Sequence, residues 1–300
     1  MRILIIGSRE TLVVRDPQYY DKYQAYLQAA LPDGEGSVDV AYISDLYIGI
    51  GDSKFDIRTL PNNRDLREYD VVFLRGQTFR RFRDVLKVVS VYCVMNKVVI
   101  INDYGKNRDG SKLTQAVQFF EAGLPLPYTV LVTAGLLANP DTLGIAFPLV
   151  MKATFGARGE DNYLVHSIEE IRCIAAENPE LRFILQRLIP NDGDYRLLFI
   201  GDETALIHRK GKDGSHLNNT SQGATASLVP VSTLPPEIVE GARRYIRSHY
   251  ITTAGVDVLT DKHTAECYFL EVNSQPQLTS GAFLEMKTEL MGAYLQSLQS

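Results

Sequence analysis

Cysteine, positive charge and long apolar runs are all scarce in this sequence, and each shortage removes a class of protein. Only three cysteines occur in 300 residues, Cys93, Cys173 and Cys267. An odd, widely spaced set does not make a disulfide framework, so these thiols are expected to be reduced and buried in a cytoplasmic protein. Nothing beside them argues for a catalytic thiol. The formal net charge of −5 leaves no basic footprint, which argues against nucleic acid as the main partner. The opening "MRILIIGS" is too short for a secretory apolar region and lacks a small-residue cleavage site. No segment reaches the apolar length of a membrane span, so no membrane partner is expected. Internal repeats and low-complexity tracts are also missing.

What remains is an ordinary globular composition, 45% hydrophobic and 22% charged, on a chain long enough for two or three subdomains. In the first hundred residues "RILIIGS", "VDVAYIS", "DVVFLRG" and "KVVIIND" are short Val- and Ile-rich runs. Phe79 to Met95 lies between two of them with apolar residues at three- and four-residue steps. This alternation predicts a small parallel α/β domain, residues 1–103. "GIGDSKF" (49–55) does not complete a dinucleotide glycine pattern and reads as a surface loop. A polar patch, "DYGKNRDGSK", then opens a second unit, 104–185. It holds a helix from Lys112 to Ala122, strands "FPLVMKAT" and "YLVH", and a helix capped by Ser167 with Glu169 and Glu170 in its first turn. The third unit, 186–300, is mostly β, with helices from Pro236 to Tyr250 and from Phe283 onward.

Several stretches carry groups suited to chemistry. "YFLEVNSQPQLTSG" (268–281) places Glu271 and Asn273 on one face of an apolar strand, where a carboxylate is costly unless it is paired or binds a cation. The turn "TDKHTAE" brings Asp257 of "AGVDVL" alongside. Three oxygen-bearing side chains without Cys or a well-placed His suit Mg²⁺ better than zinc or copper. Lys152 ends a strand before Gly156 and Gly159, where a lysine can meet phosphate or simply snorkel. Asp192 and Asp194 precede Arg196 in a turn, where a surface ion pair is the plain reading. The loop "HRKGKDGSHLNNTSQGATA" (208–226) is polar enough to be solvated or to wrap a charged ligand. Arg75, at the end of an N-terminal strand, suits either a substrate carboxylate or plain solvent.

In this order the segments resemble the ATP-grasp superfamily, most closely its RimK-type branch of ribosomal-protein glutamate ligases and related amino-acid ligases. "GVDVL…LEVNSQP" resembles that branch's "GVD-apolar-L … EVN-x-SP" ending. "RDGSKL", "FPLVMKATFGARG" and "GDYRLLFIGDETALIHRKGKDG" resemble the segment before the central domain, the lysine strand with its glycine-rich lid (155–162), and the "DIR…VVGD…RRAKEG" run. The resemblance implies an ATP-grasp fold, α/β and α+β, with an N-terminal Rossmann-like (pre-ATP-grasp) domain. It implies ATP with Mg²⁺, or Mn²⁺, and a carboxylate and an amine as substrates, in an ADP-forming ligase; self-association is left open. Residue by residue, Asp257, Glu271 and Asn273 match the metal ligands, and Lys112 and Lys152 the nucleotide-phosphate lysines. Arg187, Leu188 and Ile189 fall at the linker whose backbone reads adenine. Asp194, Leu217, Asn218 and Asn219 match nucleotide contacts, and Arg196 and Arg209 the catalytic arginines near the reacting carboxylate. The chain departs from the pattern at Arg187, where the family has Glu, at Leu217 and Gln222, where it has arginines, and at Gln277, where it has glycine. A nucleotide-binding scaffold that has lost ligation is therefore the alternative class. A dinucleotide oxidoreductase lacks its glycine signature.

Overall fold

The structure, a computed structural model, describes residues 1–9, 16–32, 35–76, 79–106, 110–156, 161–211 and 224–299. The chain opens with strand Arg2–Gly7 (β1), helix Tyr19–Ala30 (α1) and strand Ser37–Tyr42 (β2). Leu46–Gly51 (β3), Lys54–Thr59 (β4) and the short Arg64–Asp65 (β5) follow, then Val71–Leu74 (β6), helix Arg83–Met95 (α2) and Val99–Ile101 (β7). The order β2-β1-β6-β7 makes one wholly parallel sheet, as the alternation predicts. Ile3, Leu4, Ile5 and Ile6 are consecutive and all fully buried, because both faces of such a sheet are covered.

Strands β3, β4 and β5 form a separate antiparallel sheet, where the sequence suggested a plain loop. The β3–β4 turn is Asp52-Ser53, with φ of 46° and 61°. Two positive-φ residues match the strand twist of a tight hairpin. The turn lacks the glycine that usually announces it, while Gly49 and Gly51 lie inside β3. That displacement of glycine from turn to strand is why the hairpin reads as a loop.

The middle of the chain runs through Lys112–Glu121 (α3), Thr129–Leu131 (β8), Ala134–Ala138 (α4), Leu149–Ala153 (β9), Asn162–Val165 (β10), Ile168–Glu177 (α5) and Phe183–Arg187 (β11). Its sheet, β10-β9-β11-β8, is antiparallel. Ser111 and Ser167 accept hydrogen bonds from the amides of Thr114 and Glu170 and so start α3 and α5. The last part holds Asp194–Ile200 (β12), Glu203–Lys210 (β13), Thr225–Val229 (β14), Pro236–Ser248 (α6), Thr253–Thr260 (β15), Cys267–Asn273 (β16) and Leu284–Ser297 (α7). These strands form a five-stranded antiparallel sheet in the order β14-β13-β12-β15-β16.

Besides an interior on one face of the first sheet, where Leu4, Ile6 and Val72 meet Leu86 and Val89 of α2, three further apolar interiors organise these layers. The middle sheet has its own, built from Leu149, Met151, Phe183, Leu185 and Ile171. A second lies under the last sheet, where Tyr245 and Phe269 meet Phe119 of α3. Helix α3 therefore packs on the last sheet, although it falls within the expected middle unit. The third is shared: Ile3, Tyr23 and Phe73 of the first sheet region join Leu198 and Ile200 of β12 and Met291 and Leu295 of α7. Cys93 and Cys267 are buried as expected, but Cys173 is exposed. Helix α5 buries only Ile171, and Cys173 falls on its open side. Among the described residues no helix is long and apolar enough to cross a membrane.

Candidate active site

Side chains along β12, β13, β15 and β16 alternate between two faces of the last sheet. One face sends Leu197, Phe199, Leu206, Val256, Val258, Phe269 and Val272 into the core. The other carries Asp194, Arg196, Arg209, Asp257, Glu271 and Asn273. Strict alternation would put Phe269 and Glu271 on the same side. A bulge prevents this: Asp257 pairs with Glu271 and Val258 with Phe269, leaving Leu270 unpaired. The extra residue lets β16 bury Phe269 and still turn Glu271 and Asn273 outward.

Asp257 is only 4% exposed. Its Oδ1 and Oδ2 accept from Arg196 Nε and Nη2 at 2.7 and 2.8 Å. Arg209 Nη2 lies 3.0 Å from the same Oδ2. Arg209 also forks onto Asp194 at 2.6 and 2.7 Å. The sequence suggested a solvent-exposed pairing of Asp194 with Arg196. Instead Asp194 is buried, and each residue reaches sideways to the strand beside it, Asp194 to β13 and Arg196 to β15. Burial raises the pKa of both carboxyls, but two arginines overcome it at Asp257 and hold that group below the usual carboxylate range. Asp194 has one bidentate arginine and the Asp257 charge nearby, so burial wins and its carboxyl is pushed up.

Glu271 is the open carboxylate of the set. The sequence suggested a group sunk in an apolar strand, yet its side chain is 36% exposed, with Lys112 Nζ 3.6 Å away. The deeply buried carboxylate is Asp257. Asn273 Oδ1 accepts from the Gln275 amide at 2.9 Å, which fixes its orientation. Lys112, at the start of α3, also donates to the Gly156 carbonyl at 3.2 Å. Lys152 on β9 does not snorkel to solvent; its Nζ donates to Gln186 Oε1 of β11 at 2.9 Å. Gln186 in turn donates to Thr129 Oγ1 at 3.0 Å. Burial lowers the Lys152 pKa, and the Glu271, Asp257 and Asp194 charges restore part of it. This lysine is held in place by a neutral amide and stabilised as a cation by the carboxylates it faces.

Arg187 ends β11, lies over the Tyr268 ring at 5.4 Å and donates to its hydroxyl at 3.0 Å. Leu188 is half-buried and Ile189 buried. Leu217, Asn218, Asn219, Gln222 and Gly159 lie outside the described residues. Arg75 faces neither solvent nor open cleft: it is 2% exposed, donates to Tyr19 Oη and the Pro276 carbonyl, and covers the Tyr23 ring. It belongs to a set of first-sheet groups that grip the loop after Asn273. Asn102 and Tyr104 donate to the Ser274 carbonyl, and the Gln275 amide pairs with both backbone groups of Gly76. Sequence reasoning missed Gln186, Asn102, and Gln115, whose side chain bonds both the N–H and the carbonyl of Val272. A lone amide in a strand or helix carries no sequence signal of such a role.

The donor set fits a hard cation. Among the described residues no three Asp, Glu, His or Cys side chains form a closed cage. Two carboxylates and one asparagine leave most coordination positions to water and phosphate oxygens, which is how Mg²⁺ is usually held. Among the described residues Glu271 accepts no hydrogen bond and its ion pair with Lys112 is long, at 3.6 Å, which leaves lone pairs for a metal.

Comparison with known proteins places this geometry. Residues 122–296 match the model of the RimK-like ATP-grasp domain. A probable alpha-L-glutamate ligase of Trichodesmium erythraeum is 26% identical over 288 residues, spanning 93% of this chain and 89% of its own. One from a Marinomonas species is 28% identical over 256 residues, spanning 80% of this chain and 79% of its own. Among solved structures, the ATP-grasp ligase PsnB complexed with minimal precursor superposes with a TM-score of 0.69 at 15% identity, over 99% of both chains. The VanG D-Ala:D-Ser ligase of Enterococcus faecalis gives 0.65 at 13% identity, covering 100% of this chain and 99% of that one. The family match and the ligases related to this chain define an ATP-dependent carboxylate–amine ligase. The chain belongs to the RimK-like ATP-grasp family.

Proposed function

We propose that this ligase activates a carboxylate on an amino acid or peptide and joins it to an amine, with ATP as the co-substrate. A carboxylate oxygen attacks the γ-phosphorus, and the bond to the ADP oxygen breaks, giving an acyl phosphate. The amine nitrogen then attacks the acyl carbon, phosphate leaves with the C–O electron pair, and the amine loses a proton. Such chemistry needs charge placed around oxygen more than covalent help. In this reading Lys112 and Lys152 take the phosphates, and Arg187, Leu188 and Ile189 present backbone to adenine. Arg196 and Arg209 favour the reacting carboxylate, while Asp257, Glu271 and Asn273 would hold Mg²⁺. When bound, that ion neutralises charge developing on the phosphate oxygens. Mn²⁺ is expected to substitute, and Asp194 acts by holding Arg209.

One observation carries the reading: Lys112 meets Glu271 across the gap between α3 and β16, beside the Asp257–Arg209–Asp194 chain. Those are the groups that phosphoryl transfer to a carboxylate requires. The substrate class draws support from the relatives named as probable glutamate ligases and from peptide-bound ATP-grasp structures of the same fold. The cytoplasm is the proposed compartment. Purified protein incubated with ATP and Mg²⁺ should release phosphate in the presence of one carboxylate and one amine from pools of amino acids, dipeptides and acidic peptides. Mass spectrometry should then find a product lighter than their sum by one water. Tight ATP binding without stimulated release in any pool would favour the scaffold reading, to which the departures at Leu217 and Gln222 point.

A further inference from the structure

Helix α7 lies over the site face of β12, and the register of that contact brings two cations together. The buried residues of α7 recur four apart, Lys287, Met291 and Leu295. Those on the site face of β12 recur two apart, Arg196, Leu198 and Ile200. Met291 and Leu295 share one core with Leu198 and Ile200. Continued by one step toward the site, the register sets Lys287 against Arg196.

Negative charge there is unevenly supplied. Arg196 spends Nε and Nη2 on Asp257. Lys287 is 6% exposed, and its Nζ donates to one neutral acceptor, the Ser280 carbonyl at 2.9 Å. Among the described residues no carboxylate pairs with it. A lysine this deeply buried without a counter-ion is rare and costly. Burial, then the Arg196 charge, lowers its pKa. An ammonium has three donors, so two remain for an anion. The phosphate lysine Lys112 stands over β16 at Glu271. Lys287 stands over β12, two strands away in the sheet order and about 10 Å across at the usual strand spacing. The anion it meets is therefore one brought by the other substrate.

We propose that Lys287, set beside Arg196, is the receptor for a second, non-reacting carboxylate of the acid substrate, and that it sets the preference for acidic over neutral substrates. This rests on the ligase reading above, so the test includes a measurement that needs no turnover. Glutarate, a plain dicarboxylate, should raise the melting temperature of the wild-type protein. Lys287→Met should lose that shift and Lys287→Arg should keep it, while stabilisation by ATP with Mg²⁺ stays the same in all three. Without ligand Lys287→Met should melt no lower than wild type, because an uncompensated buried charge is gone; Lys287→Gln is the second neutral variant if it does not fold. In turnover, the KM of the carboxylate substrate should rise on the order of ten- to a hundredfold, the loss of one charge-assisted contact, with the KM of ATP unchanged. A glutarate shift that survives in Lys287→Met overturns the proposal. So does a variant whose stabilisation by inorganic phosphate or ATP is what disappears. If wild type forms no amide yet glutarate protects it through Lys287, the ligase reading fails and the receptor stands.

Discussion

Asp257 and Glu271 face each other across β15 and β16 and share one expected ligand, yet they should respond very differently to neutralisation. Asp257 is 4% exposed and takes contacts of 2.7, 2.8 and 3.0 Å from two arginines. Asp257→Asn removes the charge that compensates them. Breaking a buried pair costs about 3–5 kcal/mol, and the lower end applies because Arg196 is 22% exposed and Arg209 keeps Asp194. Unfolding entropy is about 2 cal/mol/K per residue, or roughly 0.6 kcal/mol/K for this chain, so the melting temperature should fall by about 5 °C. Glu271→Gln removes one partly exposed contact at 3.6 Å. Exposed pairs are worth less than about 1 kcal/mol, so its melting temperature should move by under about 2 °C. Both variants should lose Mg²⁺-dependent ATP binding and amide formation. Thermal melts followed by circular dichroism, with ATP titrations in Mg²⁺ and in EDTA, separate the two effects. Equal melting temperatures for the two variants would refute the reasoning that one carboxylate is structural and the other open. Unchanged Mg²⁺-dependent binding in Glu271→Gln would remove the metal assignment itself.

Two further perturbations test the frame around those groups. Lys152 is held below its ordinary value of 10.5, so the folded chain sheds that proton before the unfolded chain does. The penalty is present at neutral pH and relaxes as pH rises through the folded value; Lys152→Met should therefore be more stable than wild type at pH 7, with the gap narrowing toward pH 10 in paired thermal melts. Asn102 Oδ1 accepts from the amides of Thr252 and Thr253, and its Nδ2 donates to Thr253 and to Ser274. Asn102→Ala strands those buried amides at about 1–3 kcal/mol each; urea titration should show a loss of at least about 2 kcal/mol, and an unchanged midpoint would sink the claim.

The parallel first sheet, helices α3 and α5 and the β15–β16 pair are legible because each follows from local patterning. Runs such as "RILIIGS" leave no polar face, and Ser167 sits where a helix begins; the Ser111 cap of α3 emerges only in the structure. The site was legible as a list of groups, but less so as an arrangement. Arg196 stands two residues from Asp194 in sequence, yet its partner is Asp257, sixty-one residues on, because strand neighbours rather than chain neighbours meet on a sheet face. Arg75 ends an apolar strand and looks like a surface cation; only the packing of the C-terminal loop against it shows that it is buried. Lys287 occupies the core-facing stripe of α7, and its four-residue spacing from Met291 was the available signal. The hairpin at Asp52-Ser53 failed for the opposite reason, since its turn residues imitate a loop.

The shared interior of the first and last sheets has a mechanical consequence. Ile3 and Phe73 pack in one core with Leu198 and Met291, and Asn102, Gly76 and Arg75 fasten the loop behind Asn273. Those two sheets are held together by one interior, whereas the middle sheet has an interior of its own and meets them through its connections. Its main-chain tethers are few. The incoming one, Leu124 to Pro127, is stiffened by two prolines and pinned where the Pro125 carbonyl accepts from the Phe269 amide. The outgoing one, from Arg187 to Asp194, holds Pro190, whose carbonyl accepts from the Lys262 amide at 2.9 Å, before Gly193 at φ 131°. Both tethers are thus fastened to the last sheet, and the Lys112 amide adds a third link by donating to the Thr154 carbonyl at 2.9 Å, so any movement of Lys152 relative to Glu271 has to bend or break main-chain hydrogen bonds on either side of the middle sheet.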